Sequence, residues 1–207
     1  MSLSIVAFNC RGLGGIEKRR DVLNYMKQKN VSICLLQDTH LTNDEYKQVR
    51  SFWGFEIFLS PGKSHARGTA ILFNNNFEYA ILHQHRDEDG NLHILEINAY
   101  NKYDFMLVNI YGPNRDTPNF YWSISDHLSA FNGEFIIMAG DFNLVQEPVL
   151  DYFNYNNVND PEARKALLSP KESHGLVDPW RIKFDKRKRY TWSKSNPPKK
   201  SQTRLFS

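Results

Sequence analysis

Two cysteines, Cys10 and Cys34, stand in a chain of 207 residues. That is too few for a disulfide framework, and their spacing matches no zinc pattern. No apolar run approaches the roughly 20 residues that a membrane span needs. The opening MSLSIVAFNCRG has neither the basic start nor the long apolar segment of a secretory signal. There is no low-complexity tract and no internal repeat. These absences exclude a disulfide-stapled secreted module and a membrane-spanning helix. They predict an intracellular protein in a reducing compartment, without a membrane partner.

What is present is the composition of a folded domain. Hydrophobic residues make up 41% and aromatic residues 14%, enough for a sizeable core. The length fits a single domain over 1–207. The net charge of +3 hides an asymmetry. Residues 181–204 hold ten Lys or Arg against one acid, Asp185, whereas residues 1–180 hold sixteen basic and twenty-two acidic residues. A basic end on an acidic body suits either a rim that meets a polyanion or a solvated tail.

Short strand-like runs alternate with a few helices. LSIVAFN, VSICLLQD, GTAILFN, EYAILHQH, LHILEINAY, DFMLVNIYG and EFIIMAGDFN read as strands, and YTWSKS as a last short one. VSICLLQD is apolar on both faces, as a strand covered on both sides must be. DEDGN and NKYD are hairpin turns. IEKRRDVLNYMKQKN has Val22, Leu23 and Met26 at helical spacing; a second helix is predicted over 119–131 behind Pro118, and DPEARKALL a third. The stretch between VSICLLQD and GTAILFN reads as loop. The pattern predicts an α+β sandwich.

Several apolar runs end in polar residues: Asn9 after SIVAF, Asp38 after SICLLQ, Tyr111 after MLVNI, and Asp141 with Asn143 after IIMAG. Singly, each is what a turn or capped loop supplies. Together they are what strand ends converging on one sheet edge deliver to an active site. In extended backbone, residues i and i+2 share a face, so Asp141 and Asn143 are expected to look into one space. The set suits phosphodiester hydrolysis. Asp38 is a hard oxygen ligand of the kind that holds Mg²⁺ together with waters. Asp141 can polarise an attacking water, with Asn9 and Asn143 fixing that water or a substrate oxygen. Tyr111 can donate a hydrogen bond to a developing phosphorane oxygen without adding charge. Arg11 and Lys18-Arg19-Arg20 are either phosphate contacts or a solvated helix start, and Tyr190 with Trp192 either line a groove or pack in the core.

The segments FNCRG, LLQDTHL, NIYGPN and GDFN, in that order, resemble the endonuclease/exonuclease/phosphatase superfamily. They are most similar to the apurinic-like endonuclease domain that opens the polyprotein of LINE-type (non-LTR) retrotransposons, and LVDPWR and RYTWSKSNP resemble that branch too. The resemblance implies a DNase I-like, four-layer αββα sandwich. It implies a nuclease that nicks double-stranded DNA with Mg²⁺ or Mn²⁺ to prime reverse transcription, nuclear when it acts. Element RNA would be a further partner through a downstream reverse transcriptase. By motif, Asn9 and Asp38 would hold the metal, and Tyr111 would contact the scissile phosphate. Asp141 would orient or deprotonate the water, assisted by Asn143. Thr191 stands where these domains place a Thr or Ser near DNA, with Lys188, Arg189 and Arg11 as further DNA contacts. Asp178 of LVDPWR has a structural role, and His40 packs beside the metal ligand rather than joining it.

Two departures matter. The metal position is usually Glu and is Asp38 here, one methylene shorter. The family continues through an Arg-Leu-Asp stretch to a Ser-Asp-His signature, whereas this sequence reads QTRLFS and stops, so the final strands are expected to be missing and the activity impaired. The competing readings are an apurinic-site repair nuclease of the same superfamily and a non-catalytic remnant that binds nucleic acid.

Overall fold

The computed structural model describes residues 3–131, 133, 135–154, 160–195, 198–201 and 205–206. The first two apolar runs become β1 (Ile5–Asn9) and β2 (Ile33–Gln37), a parallel pair joined through α1 (Ile16–Gln28). Beyond them lie α2 (Tyr46–Trp53), β3 (Ile57–Ser60) and β4 (Thr69–Phe73), which complete a sheet of order β1-β2-β4-β3. A meander of β5 (Tyr79–Arg86), β6 (Leu92–Ala99) and β7 (Tyr103–Tyr111) follows. Its second turn, residues 100–102, has Tyr100 and Asn101 both at positive φ and is closed by the Lys102 N–H on the Ala99 carbonyl at 3.0 Å, a backbone twist that matches the strands it joins. After α3 (Pro118–Ser129), β8 (Phe135–Asp141) lies parallel beside β7, so that the strands up to Asp141 run in the order β8-β7-β6-β5 within a five-stranded sheet. Each of these sheets therefore contains a parallel pair whose strands are connected in the chain through a helix.

The stretch expected to be loop holds α2 and β3. Glu45 accepts a hydrogen bond from the Thr42 backbone N–H, 3.0 Å, and the short turn Asn43–Glu45 leads straight into the helix. Val49 and Trp53, four apart, bury one face, and Gly54 in the left-handed conformation closes the C-terminus. With Leu23 and Met26 of α1 they cover the face of the first sheet that presents Cys34, Leu36, Ile57, Leu59, Ala70 and Leu72. Arg19 is the polar member of this layer. Fully buried, it donates to the Leu13 carbonyl, 2.8 Å, and pairs with Glu45, tying α1 to α2. It is neither a phosphate contact nor a solvated helix start.

The chain divides into two compact units, Met1–Tyr111 with Gly133–Asp141, and Gly112–Asn132 with Phe142–Ser207. The first contains β1 to β8. The second contains α3, two four- and five-residue helices α4 (Pro148–Asp151) and α6 (Pro179–Lys183), and α5 (Pro161–Ser173), whose first turn is capped by the Asp116 carboxylate on the Ala163 N–H at 2.6 Å. It also contains the strands β9 (Tyr152–Phe153), β10 (Trp192–Ser195) and β11 (Pro198–Ser201), paired antiparallel in the order β10-β11-β9. Only β10 is expected from the sequence; β11 opens on Pro198, tolerated as the first residue of a strand, within a run that otherwise reads as turn. No helix among the described residues is long and apolar enough to cross a membrane.

Candidate functional site

In the first unit the two parallel pairs end in the residues singled out by their chemistry. Asn9 closes β1, Asp38 follows the last residue of β2, Tyr111 closes β7 and Asp141 closes β8. Open space past the carboxyl ends of parallel strands is where α/β proteins bind ligands, because the backbone there leaves the ladder and frees its side chains. Asn9 and Gln37 are ladder partners, and so are Tyr111 and Asp141.

A hydrogen bond bridges the two sheets at this end. The Asn9 carboxamide N–H donates to Asp141 Oδ2, 2.8 Å, across a separation of 132 residues. Asn9 is fixed from its other side, since its Oδ1 accepts the Arg11 backbone N–H at 3.0 Å. One carboxylate oxygen of Asp141 is thus oriented by a neutral donor that adds no charge. Gly140 makes this position possible. At φ +141, its backbone passes so near β7 that an added Cβ would stand 2.0 Å from the Ile110 carbonyl oxygen. A side chain there would force β8 away and with it Asp141.

Asp38 adopts φ +54, a left-handed conformation that Asp tolerates better than most residues. Its Oδ1 lies 2.9 Å from His40 Nε2, while Oδ2 makes no hydrogen bond among the described residues. His40 is packed over Gly12, where an added Cβ would lie 3.0 Å from its Nδ1. It therefore steadies the carboxylate from the side. No cluster of three His, Cys, Asp or Glu that could cage a metal exists among the described residues. What is present, a carboxylate with one oxygen open and an amide oxygen at the neighbouring strand end, is the sparse donor set that suits a hydrated hard cation.

The period-two alternation of a strand does not extend to Asn143. β8 ends at Asp141, and Asn143 sits at φ +49, outside any strand. It belongs to the second unit, where its side-chain N–H donates to the Gly112 carbonyl, 2.7 Å. The same turn is held by the Tyr121 hydroxyl, which donates to the Phe142 carbonyl. Thr191, Lys188 and Arg189 also lie in the second unit, all exposed. Arg189 is stacked over the Trp180 ring, its guanidinium carbon 5.2 Å from the centroid. Asp178 caps α6, accepting the Arg181 N–H at 3.1 Å, which is the structural role expected of it. Tyr190 donates to the Tyr152 carbonyl, and the Trp192 side chain lies outside the described residues, as do residues 196, 197 and 202–204 of the basic segment. Arg11 is exposed, at φ +50, with its carbonyl accepting from Lys18 Nζ at 2.7 Å.

Sequence reasoning missed a pair next to the site. Gln37 Nε2 donates to Asn109 Oδ1, 2.7 Å, and the Asn109 amide donates to the Leu36 and Ala70 carbonyls, 3.0 Å each. Both residues are fully buried, and they stitch the sheets together beside the site, Gln37 on the rung of Asn9 and Asn109 two residues before Tyr111. The signal was there: a lone amide at an inward position of an otherwise apolar strand must find a buried partner. The two thiols play no part in this chemistry. Burial pushes both Cys10 and Cys34 up to about 12, so neither is a thiolate nucleophile near neutral pH.

The sequence matches the Endonuclease/Exonuclease/phosphatase family over residues 6–205. The chain belongs to that family. Its endonuclease/exonuclease/phosphatase fold is seen again in the AP endonuclease LMAP from Leishmania major (TM-score 0.80, 17% identity, 99% of this chain and 78% of that one). It recurs in the endonuclease domain of TRAS1, a telomere-specific non-LTR retrotransposon (TM-score 0.69, 12% identity, 99% and 84%). At such identities the likeness speaks for the fold, the DNase I-like sandwich class expected from the motifs. Among curated family relatives, the transposon TX1 uncharacterized 149 kDa protein of Xenopus laevis is 25% identical over 209 aligned residues. That match takes in 99% of this chain, which spans 16% of the length of the TX1 protein.

Proposed function

We propose that this chain is a divalent-metal-dependent DNA endonuclease domain, residues 1–207, of a LINE-type retrotransposon polyprotein. It would hydrolyse one phosphodiester of double-stranded target DNA and leave a 3′-hydroxyl from which reverse transcription starts. The observation that carries this reading is the Asn9–Asp141 hydrogen bond with Tyr111 on the same rung as Asp141. Asp141 orients the attacking water and takes its proton; Asn9 keeps the carboxylate turned toward that task. Tyr111 donates to a non-bridging phosphate oxygen, and Asn143 assists as a second amide. Asp38 and the Asn9 amide oxygen are the groups to hold Mg²⁺ or Mn²⁺, which supplies charge neutralisation at the phosphate. Arg11, Lys188, Arg189 and Thr191 are proposed to contact the DNA backbone, which gives affinity without sequence information. The similarity to a transposon protein and to a retrotransposon endonuclease domain supports this branch of the family.

Nicking of supercoiled plasmid tests the proposal. Wild-type protein should nick in Mg²⁺ and stop on chelation, and Asp141→Asn should lower the rate by on the order of 10²–10⁴, the usual weight of a general base. Undiminished nicking by Asp141→Asn would overturn the assignment. Faster cleavage of an abasic-site oligonucleotide than of an intact AT-rich duplex would move the reading to apurinic-site repair.

A further inference from the structure

Near the strand ends, the facing sheets of the first unit enclose a layer that is polar where a core would be apolar. On one sheet the ladder partners Gln37, Thr69 and Ser60 form a row across β2, β4 and β3. On the other, Asn109, His93 and Arg86 form a row across β7, β6 and β5. The rows are clamped at both ends: Gln37 bonds Asn109 at one, and at the other the Arg86 guanidinium donates to the Leu59 carbonyl at 2.9 Å. Thr69, Ser60 and His93 lie between the clamps, all fully buried.

Four atoms of this layer have no hydrogen-bond partner among the described residues: Gln37 Oε1, Thr69 Oγ1, Ser60 Oγ and His93 Nδ1. Native structures satisfy nearly every buried polar group, so four orphans call for an explanation, and these four share one layer. Adjacent strands are about 4.8 Å apart. One water, with hydrogen bonds of about 2.8 Å, bridges that spacing. The chemistry is complementary. Gln37 Oε1 accepts, and the two hydroxyls both donate and accept. Gln84 Nε2 lies 2.8 Å from His93 Nε2, and as a donor it makes that nitrogen the acceptor. Burial pushes His93 down to about 3, so the ring is neutral and its one proton stands on Nδ1, a donor without an acceptor.

We propose that this layer is an internal water site, a small cluster held by His93 Nδ1, Thr69 Oγ1, Ser60 Oγ and Gln37 Oε1. Its Gln37-Thr69-Ser60 row lies on the rung of Asn9, one residue before Asp38. The waters complete the hydrogen bonding of Gln37, the ladder partner of Asn9 and the chain neighbour of Asp38. They therefore help to fix where the two strand ends stand. The water site is independent of the reaction proposed above.

A crystal structure that orders solvent tests it. Water oxygens within hydrogen-bonding distance of at least three of the four atoms are expected. A dry layer, with the Ser60 and Thr69 hydroxyls turned to each other or to backbone carbonyls, would overturn the proposal. In solution, long-lived waters give NMR cross-peaks to nearby protein protons, expected at Thr69 and His93 in wild type. They should vanish in the double variant Ser60→Ala/Thr69→Val, which should also unfold at lower denaturant because His93 and Gln37 lose their partners. A double variant as stable as wild type, or one that keeps the cross-peaks, sinks the idea.

Discussion

His93 and Gly140 show how much single residues decide here. His93 has a folded-state value of about 3 against an ordinary 6.5, because burial penalises the imidazolium. The unfolded chain therefore binds a proton below pH 6.5 that the folded chain refuses. Stability from this group is complete above pH 6.5 and is lost as pH falls toward 3. Its contribution to the slope is up to about 1.4 kcal/mol per pH unit. Urea denaturation from pH 7 to 5 should show a shallower fall for His93→Gln than for wild type; equal slopes would mean that the folded protein accommodates the His93 imidazolium. Gly140→Ala is a steric test. A Cβ at 2.0 Å from the Ile110 carbonyl cannot be accommodated without moving backbone. The variant should fall by several kcal/mol or fail to fold, on the order of the largest single-residue effects. A melting temperature near wild type would show that β8 is free to shift.

At the scale of elements, the parallel and meander strands were legible because their patterns are unambiguous. Continuous apolar runs ending in polar residues mark β2, β7 and β8, and turn residues mark the hairpins. The helix α2 was not legible for a physical reason. Its eight residues include Tyr46, Val49, Phe52 and Trp53, a short stripe whose aromatics read equally well as loop packing. What makes it a helix is tertiary: Glu45, caught between the Thr42 N–H and Arg19. Burial alone would push the Glu45 carboxyl up, but those two partners hold it below its usual value. Asn143 was misread for a related reason, since strand geometry was extended two residues past the point where β8 stops. The Arg19 tie gives an element-scale prediction. Arg19→Ala removes the partner of Glu45 and two hydrogen bonds to carbonyls, and breaking such a buried pair costs roughly 3–5 kcal/mol. Chemical denaturation should place it near the lower end, because Glu45 keeps some solvent. Arg19→Lys should recover little, as a point charge cannot reach several acceptors at once.

At the scale of the molecule, charge is divided along the sequence, with a basic 181–204 after an acidic 1–180. If the basic segment meets phosphates, Lys188→Ala with Arg189→Ala should weaken duplex binding evenly across sequences. For every phosphate that goes unneutralised, the plot of log affinity against log salt should flatten by about 1. An unchanged salt slope would place the DNA elsewhere. The proposed catalytic residues come from opposite ends of the first unit's chain, and the Asn9–Asp141 bond spans 132 positions. Pairings of such separation form late, after the loop between them has closed. During synthesis at about 5–20 residues per second, Asn9 therefore waits several seconds at least for its partner to be made. The chemistry proposed for this fold is assembled only when β8 docks, so a nascent chain that has not reached GDFN is harmless to any DNA it meets.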